Sequence, residues 1–315
     1  MAGPVTVGID LGGTKCLGVA LSSEGEVLAE HRVPTPVGED AVLDAIVAVA
    51  DGLRQRVEGV VAVGVGAPGL VDRSGVLRFA PNLSGVRDFA LRDSLAQRLD
   101  LPVQVENDAT SAAWAERQVG AARGLDDVVL VTLGTGIGGG IVAAGVLQRG
   151  AHGFAGEVGH MVVDPDGPEC PCGQRGCWER YASGSGLGRL CRDAAVAGRA
   201  GHVVDLAGGD PEAVRGEHVT AAALDGDAEA IAVIDRFAWW VALGLANLAN
   251  IFDPAVFVVG GGLVDMGDLL FTPLRASFDG LVLGAQYRPK VTIVQAALGD
   301  HAGAVGAGLL AREVL

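Results

Sequence analysis

Two copies of one short pattern constrain the fold of this chain more than any other feature. The segment from Val5 to Leu21, "VTVGIDLGGTKCLGVAL", reads as an apolar strand, a glycine-threonine turn and a second apolar strand. The segment from Val128 to Leu147, "VVLVTLGTGIGGGIVAAGVL", repeats the same order of strand, turn and strand. Duplication of such a unit about 120 residues apart predicts a duplicated fold with two domains that face each other.

Strands and helices alternate around these two copies, which is typical of the α/β class. Short apolar runs predict three antiparallel strands at the start of the chain, over 5–10, 16–21 and 27–33. Helical spacing of apolar residues and helix boundary signals predict helices over 40–57, 88–99, 109–120, 228–252 and 302–315. Further strands are predicted over 60–68, 102–108, 255–262 and 291–296.

The chain is acidic, with a formal net charge of −15 at pH 7. Such a charge repels a phosphate backbone and no basic stripe offsets it, so nucleic acid is not expected as a partner. The sequence contains no run of 18 apolar residues and no signal-type start, which predicts a soluble cytoplasmic protein with no membrane partner. Lysine occurs only as Lys15 and Lys290, so the lysine inside "GGTK" is informative.

Both glycine turns are candidate phosphate sites. "GTGIGG", from Gly134 to Gly139, matches the dinucleotide fingerprint, but a strand follows it where that fingerprint requires a helix. A glycine-rich strand-turn-strand unit can still bind phosphate, because its amides form an anion-binding nest and a threonine hydroxyl adds a donor. Asp10 before the first turn favours a magnesium ion there, and Lys15 adds a cation. Plain hairpin turns are the alternative.

A polar pair, Asn107 and Asp108, stands where a predicted strand gives way to a helix. Open α/β sheets bind ligands at this end of their strands, so Asn107 could donate to a hydroxyl and Asp108 could remove its proton. The same residue types are also common helix N-caps, and the sequence leaves both interpretations open.

Three of the five cysteines, Cys170, Cys172 and Cys177, lie in "ECPCGQRGCWE". Together with His160 of "GEVGH" they complete the Cys₃His shell of a closed tetrahedral zinc site. A disulfide is disfavoured because the cysteine count is odd and a Cys170–Cys172 bridge would be strained, which leaves a reduced cysteine loop as the alternative. Such a zinc ion would be structural and would hold His160 and Glu179 in place for a substrate.

These residues together resemble the ROK family of bacterial sugar kinases. The matching segments follow the family's order over nearly the whole chain: "GIDLGGTK", "GVGAPGLVD", "PNL", "END", "LGTGIGGG", "GEVGH", "CPCGQRGCWE" and "VVGGGL". The resemblance implies a duplicated actin/hexokinase-like (ribonuclease H-like) α/β fold of two domains with a cleft between them. It suggests a small domain at 1–118 plus 301–315 and a large domain with the zinc loop at 119–300.

The resemblance also implies an activity, the phosphorylation of a hexose, glucose above all, at its 6-hydroxyl by ATP with Mg²⁺. At the matching positions, Asp108 would be the base that deprotonates the 6-hydroxyl. The other sugar hydroxyls would be held by Gly69, Asn107, Glu157, His160 and Glu179. The nucleotide, its phosphates and the magnesium ion would be held by Asp10, Gly12, Gly13, Thr14, Lys15, Thr135, Gly136 and Gly261.

Several alternatives stay open in the sequence. The sugar could be fructose, mannose, allose, N-acetylmannosamine or N-acetylglucosamine, and polyphosphate could replace ATP as the donor. The family also contains non-enzymatic, sugar-responsive repressors with an N-terminal DNA-binding region, which is not expected here because the first turn begins within a dozen residues of Met1. A zinc-stabilised dehydrogenase is disfavoured by the strand after "GTGIGG". A homodimer or homotetramer is expected from the family's habit.

Overall fold

A computed structural model describes residues 3–80, 83 and 85–315, so Pro81 and Asn82 of the "PNL" segment lie outside the described residues. The strands in the described ranges are β1 (Val5–Leu11), β2 (Lys15–Leu21), β3 (Val27–Pro34), β4 (Val60–Ala67), β5 (Leu70–Val71), β6 (Leu77–Phe79), β7 (Arg87–Phe89), β8 (Val103–Asn107), β9 (Val128–Leu133), β10 (Ile137–Ala143), β11 (Val146–Leu147), β12 (Val256–Gly260) and β13 (Thr292–Gln295). The helices are α1 (Glu39–Arg54), α2 (Leu91–Leu99), α3 (Asp108–Val119), α4 (Glu179–Ala182), α5 (Gly184–Val196), α6 (Gly201–Leu206), α7 (Gly216–Leu224), α8 (Ala228–Phe252), α9 (Asp268–Leu281) and α10 (Ala302–Leu310).

The first sheet has the strand order β3-β2-β1-β4-β8. β1, β2 and β3 pair antiparallel, which confirms the prediction for the start of the chain, whereas β4 pairs parallel to β1 and β8 parallel to β4. In this register Asp10 of β1 pairs with Gly66, and Asn107 of β8 pairs with Ala67, the last residue of β4. The carboxyl ends of three parallel strands therefore meet at one edge, where open α/β sheets place their ligands.

The second sheet repeats this plan with the order β11-β10-β9-β12-β13. β10 and β11 pair antiparallel, and β12 and β13 pair parallel, as do β2 with β3 and β4 with β8 in the first sheet. A strand-turn-strand unit followed by parallel strands thus occurs twice, which confirms the duplication predicted from the sequence. A third, smaller antiparallel sheet has the order β5-β6-β7.

The chain divides into two compact units. Unit 1 comprises Met1–Leu130, Gly139–Gly156 and Ala296–Leu315, and unit 2 comprises Val131–Gly138 and Glu157–Gln295. In unit 1, one cluster of buried residues joins β1 and β4 to α1 and α2, and another joins β2 to α3 and α10. In unit 2, α8 packs against α4, α5, α7 and α9. The domain boundaries suggested by the resemblance stay a prediction.

Helix α10 is buried on all sides and lies on the first sheet at very short range. Gly303, Gly306 and Gly308 have no side chains, so the backbone of α10 can approach β1 and α3 closely at these positions. A Cβ at Gly64 of β4 would overlap with the Ala307 carbonyl group, and a Cβ at Gly306 would overlap with the Ser111 carbonyl group of α3. Glycine is therefore required by space, and the segment 302–310 completes the core of unit 1.

Helix α8 is the one helix of the described ranges that is long and apolar enough to cross a membrane, with a mean hydropathy of 1.4. Within the protein, 61% of the most apolar 18-residue window of α8 is buried. Buried core helices of globular proteins pass the same test of length and composition, so this helix is weak evidence for a membrane span.

The packing of α10 predicts that Gly64→Ala destabilises the protein. The added methyl group must displace the Ala307 carbonyl, and overpacking of this kind costs about 1–3 kcal/mol in the free energy of unfolding. Gly280→Ala in α9 is the matched control, because a Cβ at that position meets no atom within 4 Å. Chemical denaturation would measure both, and equal stabilities of the two variants would contradict the role given to Gly64.

Candidate active site

The first glycine turn joins β1 to β2 and brings charged groups of unit 1 together. Gly12 N donates to Lys15 O at 2.9 Å and closes the turn, whose tip residues Gly13 and Thr14 are exposed. The Lys15 ammonium group forms an ion pair with the carboxylate of Asp300. Asp300 was not predicted from the sequence, because it lies 285 residues from Lys15 along the chain.

The start of α10 lies directly against Asp10. A Cβ at Gly303, in the first turn of that helix, would lie 2.9 Å from the carboxylate carbon of Asp10. Burial above all, together with the nearby carboxylates of Asp108 and Asp300, raises the pKa of Asp10 to about 7, and Lys15 opposes the rise. A buried carboxylate beside other carboxylates is stabilised by a cation, and an oxygen ligand of this kind suits Mg²⁺.

Two further buried residues of unit 1, Cys16 and Glu116, have structural roles. Cys16 is fully buried, and burial raises the pKa of its thiol to about 12, so it is a neutral apolar filler. Glu116 of α3 is also buried, and its carboxylate accepts from Leu298 N at 2.8 Å and from Ala121 N at 2.7 Å. The bond to Leu298 fixes the segment that leads to Asp300.

Asn107 and Asp108 stand at the start of α3, at the ligand-binding edge of the first sheet. Asn107 is the N-cap, and its Oδ1 accepts from Thr110 N at 2.9 Å. Its Nδ2 donates to Gly69 O at 3.1 Å, and Asp108 Oδ1 accepts from Ala109 N at 2.7 Å. The capping role is therefore present, and because an amide has two N–H donors it is compatible with binding a hydroxyl.

Gly69 occupies a turn that admits glycine only. Its φ is +92°, and a Cβ there would overlap with the carbonyl oxygen of Phe79. Through the bond from Asn107, this turn is attached to the residue that precedes Asp108. The structure thus brings Gly69, Asn107 and Asp108, all named from the sequence, to one place in unit 1.

The second glycine turn, between β9 and β10, lies in unit 2 and rests on the start of α5. Gly184 N donates to Gly134 O at 2.8 Å, and Ser185 Oγ donates to Thr135 O at 3.0 Å. The N-terminus of a helix carries a partial positive charge that favours anions, and α5 has 13 residues. Ser185 was not identified from the sequence, because nothing there connects "SGSG" with the turn.

Gly261 lies beside the same turn. It follows β12 with a φ of +83°, and a Cβ there would lie 2.5 Å from Leu133 O, at the end of β9. The segment "VVGGGL" therefore packs against the strand that leads into Thr135 and Gly136. Thr135, Gly136 and Gly261, which were predicted from the sequence as nucleotide-binding residues, thus lie in one region of unit 2.

The predicted metal ligands also come together in unit 2. One candidate ligand atom from each of His160, Cys170, Cys172 and Cys177 lies within 4.8 Å of the other three. His160 Nδ1 is 3.8 Å from Cys170 Sγ, and Cys172 Sγ is 3.6 Å from Cys177 Sγ. Sulfur atoms bound to one tetrahedral zinc ion at about 2.3 Å are about 3.8 Å apart. The donor types and spacings therefore fit a four-coordinate metal site.

Two carboxylates flank this cluster. Cys170 Sγ donates to Glu179 Oε1 at 3.1 Å, and His160 Nε2 is 4.0 Å from Glu157 Oε2. Because Nδ1 of His160 faces the cysteines, its Nε2 faces away from the cluster toward Glu157. Burial raises the pKa of Glu157, and Glu179 adds to the rise while His160 opposes it. A Cβ at Gly136 would lie 2.7 Å from Glu179 Oε2, so Glu179 joins the cluster to the second turn.

The cysteine loop is anchored in the core by Trp178, which the sequence analysis did not single out. Trp178 is fully buried, and its Nε1 donates to Trp240 O of α8 at 2.7 Å. A Cβ at Gly244 of α8 would overlap with the indole ring, so glycine makes room for it. Gly173 and Gly176, the two glycines of "CGQRGC", both have positive φ and allow the tight loop between Cys172 and Cys177.

Comparison with known proteins identifies the family. The chain matches the ROK family over residues 6–314. A glucokinase of Streptomyces coelicolor is 44% identical over 312 residues, with 98% of each chain covered. The crystal structure of a ROK family glucokinase from Streptomyces griseus in complex with glucose and AMPPNP is 44% identical, covers 98% of this chain and 99% of that one, and has a TM-score of 0.86. A ROK hexokinase from Thermus thermophilus is 36% identical, with 98% of each chain covered and a TM-score of 0.81.

The chain therefore belongs to the ROK family. Its duplicated α/β architecture is the actin/hexokinase-like fold of these enzymes, which confirms the fold class implied by the resemblance.

The Cys₃His cluster predicts that Cys172→Ser lowers the metal content of the purified protein from about one ion per chain and also lowers its thermal stability. Removing one of four ligands weakens the site, and the loop that carries Glu179 loses its cross-link. Cys191→Ser, at a buried cysteine of α5, is the matched control. Inductively coupled plasma spectrometry would measure the metal, and equal content in both variants and the unmodified protein would contradict the site.

Proposed function

We propose that this protein is a glucokinase, which transfers the γ-phosphoryl group of ATP to the 6-hydroxyl of glucose. The observation that carries the proposal is the 44% identity, over 98% of the chain, to ROK glucokinases, one of them crystallised with glucose and AMPPNP. The chemical groups that this reaction requires occur among the described residues. Phosphoryl transfer depends mainly on positioning and on compensation of charge.

Asp108 is the proposed general base. It lies at the end of the parallel strands, where ligands of such sheets bind, and its backbone is fixed by the Asn107 cap. The carboxylate accepts the proton of the 6-hydroxyl as the hydroxyl oxygen attacks the γ-phosphorus. Asn107 and the turn at Gly69 are also proposed to bind sugar hydroxyls, and so are Glu157, His160 and Glu179.

The two glycine turns are the proposed phosphate-binding elements. Amides of Gly12, Gly13 and Thr14 in one turn, and of Thr135 and Gly136 in the other, donate to phosphate oxygens, with Lys15 as a cation. Gly261 makes room for the nucleoside. ATP-dependent kinases use Mg²⁺ with ATP, and it neutralises charge on the phosphate oxygens; Asp10 is the residue that would hold it, directly or through water.

Zn²⁺ is the proposed occupant of the Cys₃His cluster, with a structural function. Four protein ligands fill a tetrahedral shell and leave no position for a reacting water, unlike catalytic zinc sites. His160 would bind the ion through Nδ1, which would fix the direction of Nε2, the atom proposed to meet a sugar hydroxyl. The three cysteines would tie the loop that carries Glu179 to the same site.

The proposal also covers the assembly, the location and the preferred sugar of the protein. We infer a cytoplasmic homodimer or homotetramer without nucleic-acid or membrane partners. Glucose is the proposed hexose because the match to glucokinase relatives covers 94–98% of their own length. Another hexose or N-acyl hexosamine as the substrate, and a sugar-binding sensor without catalysis, are the alternative functions.

A coupled assay of ADP release tests the proposal directly. Magnesium ATP is offered with a panel of glucose, mannose, fructose, N-acetylmannosamine and N-acetylglucosamine, on protein whose zinc content is measured in the same preparation. Fastest release with glucose supports the proposal. Faster release with another sugar reassigns the substrate, and zinc-loaded, folded protein that binds glucose without releasing ADP indicates the sensor.

Asp108→Asn is expected to lower kcat by about 100-fold or more, because the variant has no general base, and to leave the KM for glucose nearly unchanged. Asp93→Asn is the matched control, since Asp93 lies in the first turn of another helix of unit 1, α2. Steady-state kinetics with both substrates would measure these effects. A kcat close to that of the unmodified enzyme would remove Asp108 from the role of base.

Thr135→Val is expected to raise the KM for ATP by about tenfold, more than the KM for glucose, because it removes the threonine hydroxyl, a phosphate donor beside the amides of the turn. Thr132→Val serves as a control in the strand leading to the same turn, where the hydroxyl accepts from Gly138 N at 3.1 Å. Initial rates over a grid of both substrates separate the two KM values. A larger effect on glucose would mean that the second turn binds the sugar.

A further inference from the structure

Glu106 is a buried carboxylate that the proposed reaction does not use directly. It lies two residues before Asp108 in β8, and only 4% of its surface is exposed. Both of its oxygens are engaged: Oε1 accepts from the backbone amide of Asn107 at 3.1 Å, and Oε2 accepts from Arg149 Nε. A side chain therefore fixes the peptide that immediately precedes the proposed base.

Arg149 forms the centre of a small network within unit 1. Its Nη2 donates to Glu313 Oε2 at 2.8 Å, and its side chain is 19% exposed. The next residue, Gly150, accepts from Arg73 Nε at 2.9 Å and from Arg73 Nη2 at 2.6 Å. The strand end at Glu106, the segment at 149–150 and the last residues of the chain are thus tied together by charged hydrogen bonds.

This network is connected to the proposed sugar-binding turn at Gly69 through Arg73 and through Asn107. Arg73 lies a few residues after Gly69, and Arg73 N also donates to His152 O at 3.3 Å. Asn107, held by Glu106, in turn donates to Gly69 O. The charged groups therefore form a frame around Asn107 and Asp108 without contacting the reacting atoms themselves.

Burial of the Glu106–Arg149 ion pair costs free energy, because both charges are removed from water. Burial raises the pKa of Glu106, and the hydrogen bond and charge of Arg149 oppose the rise. Buried ion pairs often contribute little net stability compared with apolar residues, but they do specify one geometry. A pair adjacent to a catalytic carboxylate, where a displacement of about 1 Å can cost about 100-fold in rate, is suited to such a purpose.

We propose that Glu106 and Arg149 are positioning residues for catalysis, which hold the peptide 106–108 so that the Asp108 carboxylate points at the substrate hydroxyl. The inference rests on the proposed function, because it assigns to these residues an effect on the Asp108 base. Glu313 orients Arg149 from the other side and makes the last residues of the chain part of the support.

The test compares Arg149→Met with Arg149→Lys and with the double variant Glu106→Gln/Arg149→Met. Arg149→Met is expected to lower kcat by about 10- to 100-fold, with the KM for glucose within about threefold of the unmodified enzyme. Arg149→Lys keeps the charge and should recover part of the rate. The double variant removes the unpaired buried charge, so it should regain thermal stability while kcat stays low.

Arg117→Met is the matched control. Arg117 lies in the same unit with 22% of its side chain exposed, and it pairs with the exposed Asp126 instead of a buried group. Its removal should leave kcat within about twofold of the unmodified value. A kcat for Arg149→Met that equals the control, or a double variant that regains full kcat with its stability, would overturn the positioning role.

A second measurement separates this inference from the proposed function. Amide hydrogen exchange of the peptide over 104–112, read by mass spectrometry, needs no turnover. Faster exchange there in Arg149→Met and in the double variant, but not in Arg117→Met, supports the positioning role even if glucose is not the substrate. Unchanged exchange in this peptide overturns it. Absence of ADP release by the unmodified protein would count against the proposed function alone.

Discussion

Contact between the backbone of α10 and the backbones of β1, β4 and α3 is the constraint on which unit 1 depends. Gly64 and Gly306 allow this contact, because any Cβ there would occupy the position of a carbonyl group. The same closeness brings the start of α10 against Asp10, while α3, packed on α10, begins at Asp108. Two carboxylates with different proposed roles are therefore fixed by one tightly packed layer.

Unit 2 holds its candidate groups by a different means. The cysteine loop has little regular structure; its three cysteines cluster with His160, and Trp178, which packs against Gly244 of α8, anchors it in the core. Glu179 connects the cluster to the second glycine turn, and Glu157 lies next to His160. Around the cysteine loop, unit 2 thus relies on a few specific side-chain bonds, whereas α10 of unit 1 relies on close backbone packing.

Patterns that act locally in the chain were enough to predict much of this arrangement. The repeated strand-turn-strand unit, the long helix α8 and the Cys₃His set follow from periodicity and spacing, and the structure contains each of them. Partners that are distant in sequence could not be predicted, such as Asp300 for Lys15 and Arg149 for Glu106. This chain has many charged residues, and the sequence does not indicate which two of them will pair after folding.

The position of α10 in the chain affects how unit 1 is assembled during synthesis. The ribosome releases β1, β4 and α3 early, but the helix that packs against all three is formed by residues 302–310. Residues 157–295 of unit 2 emerge before that helix, so they can form their own core while the part of the first sheet that α10 covers is still exposed. A nascent chain of this protein therefore exposes apolar surface of its N-terminal strands until residues 302–310 have been synthesised.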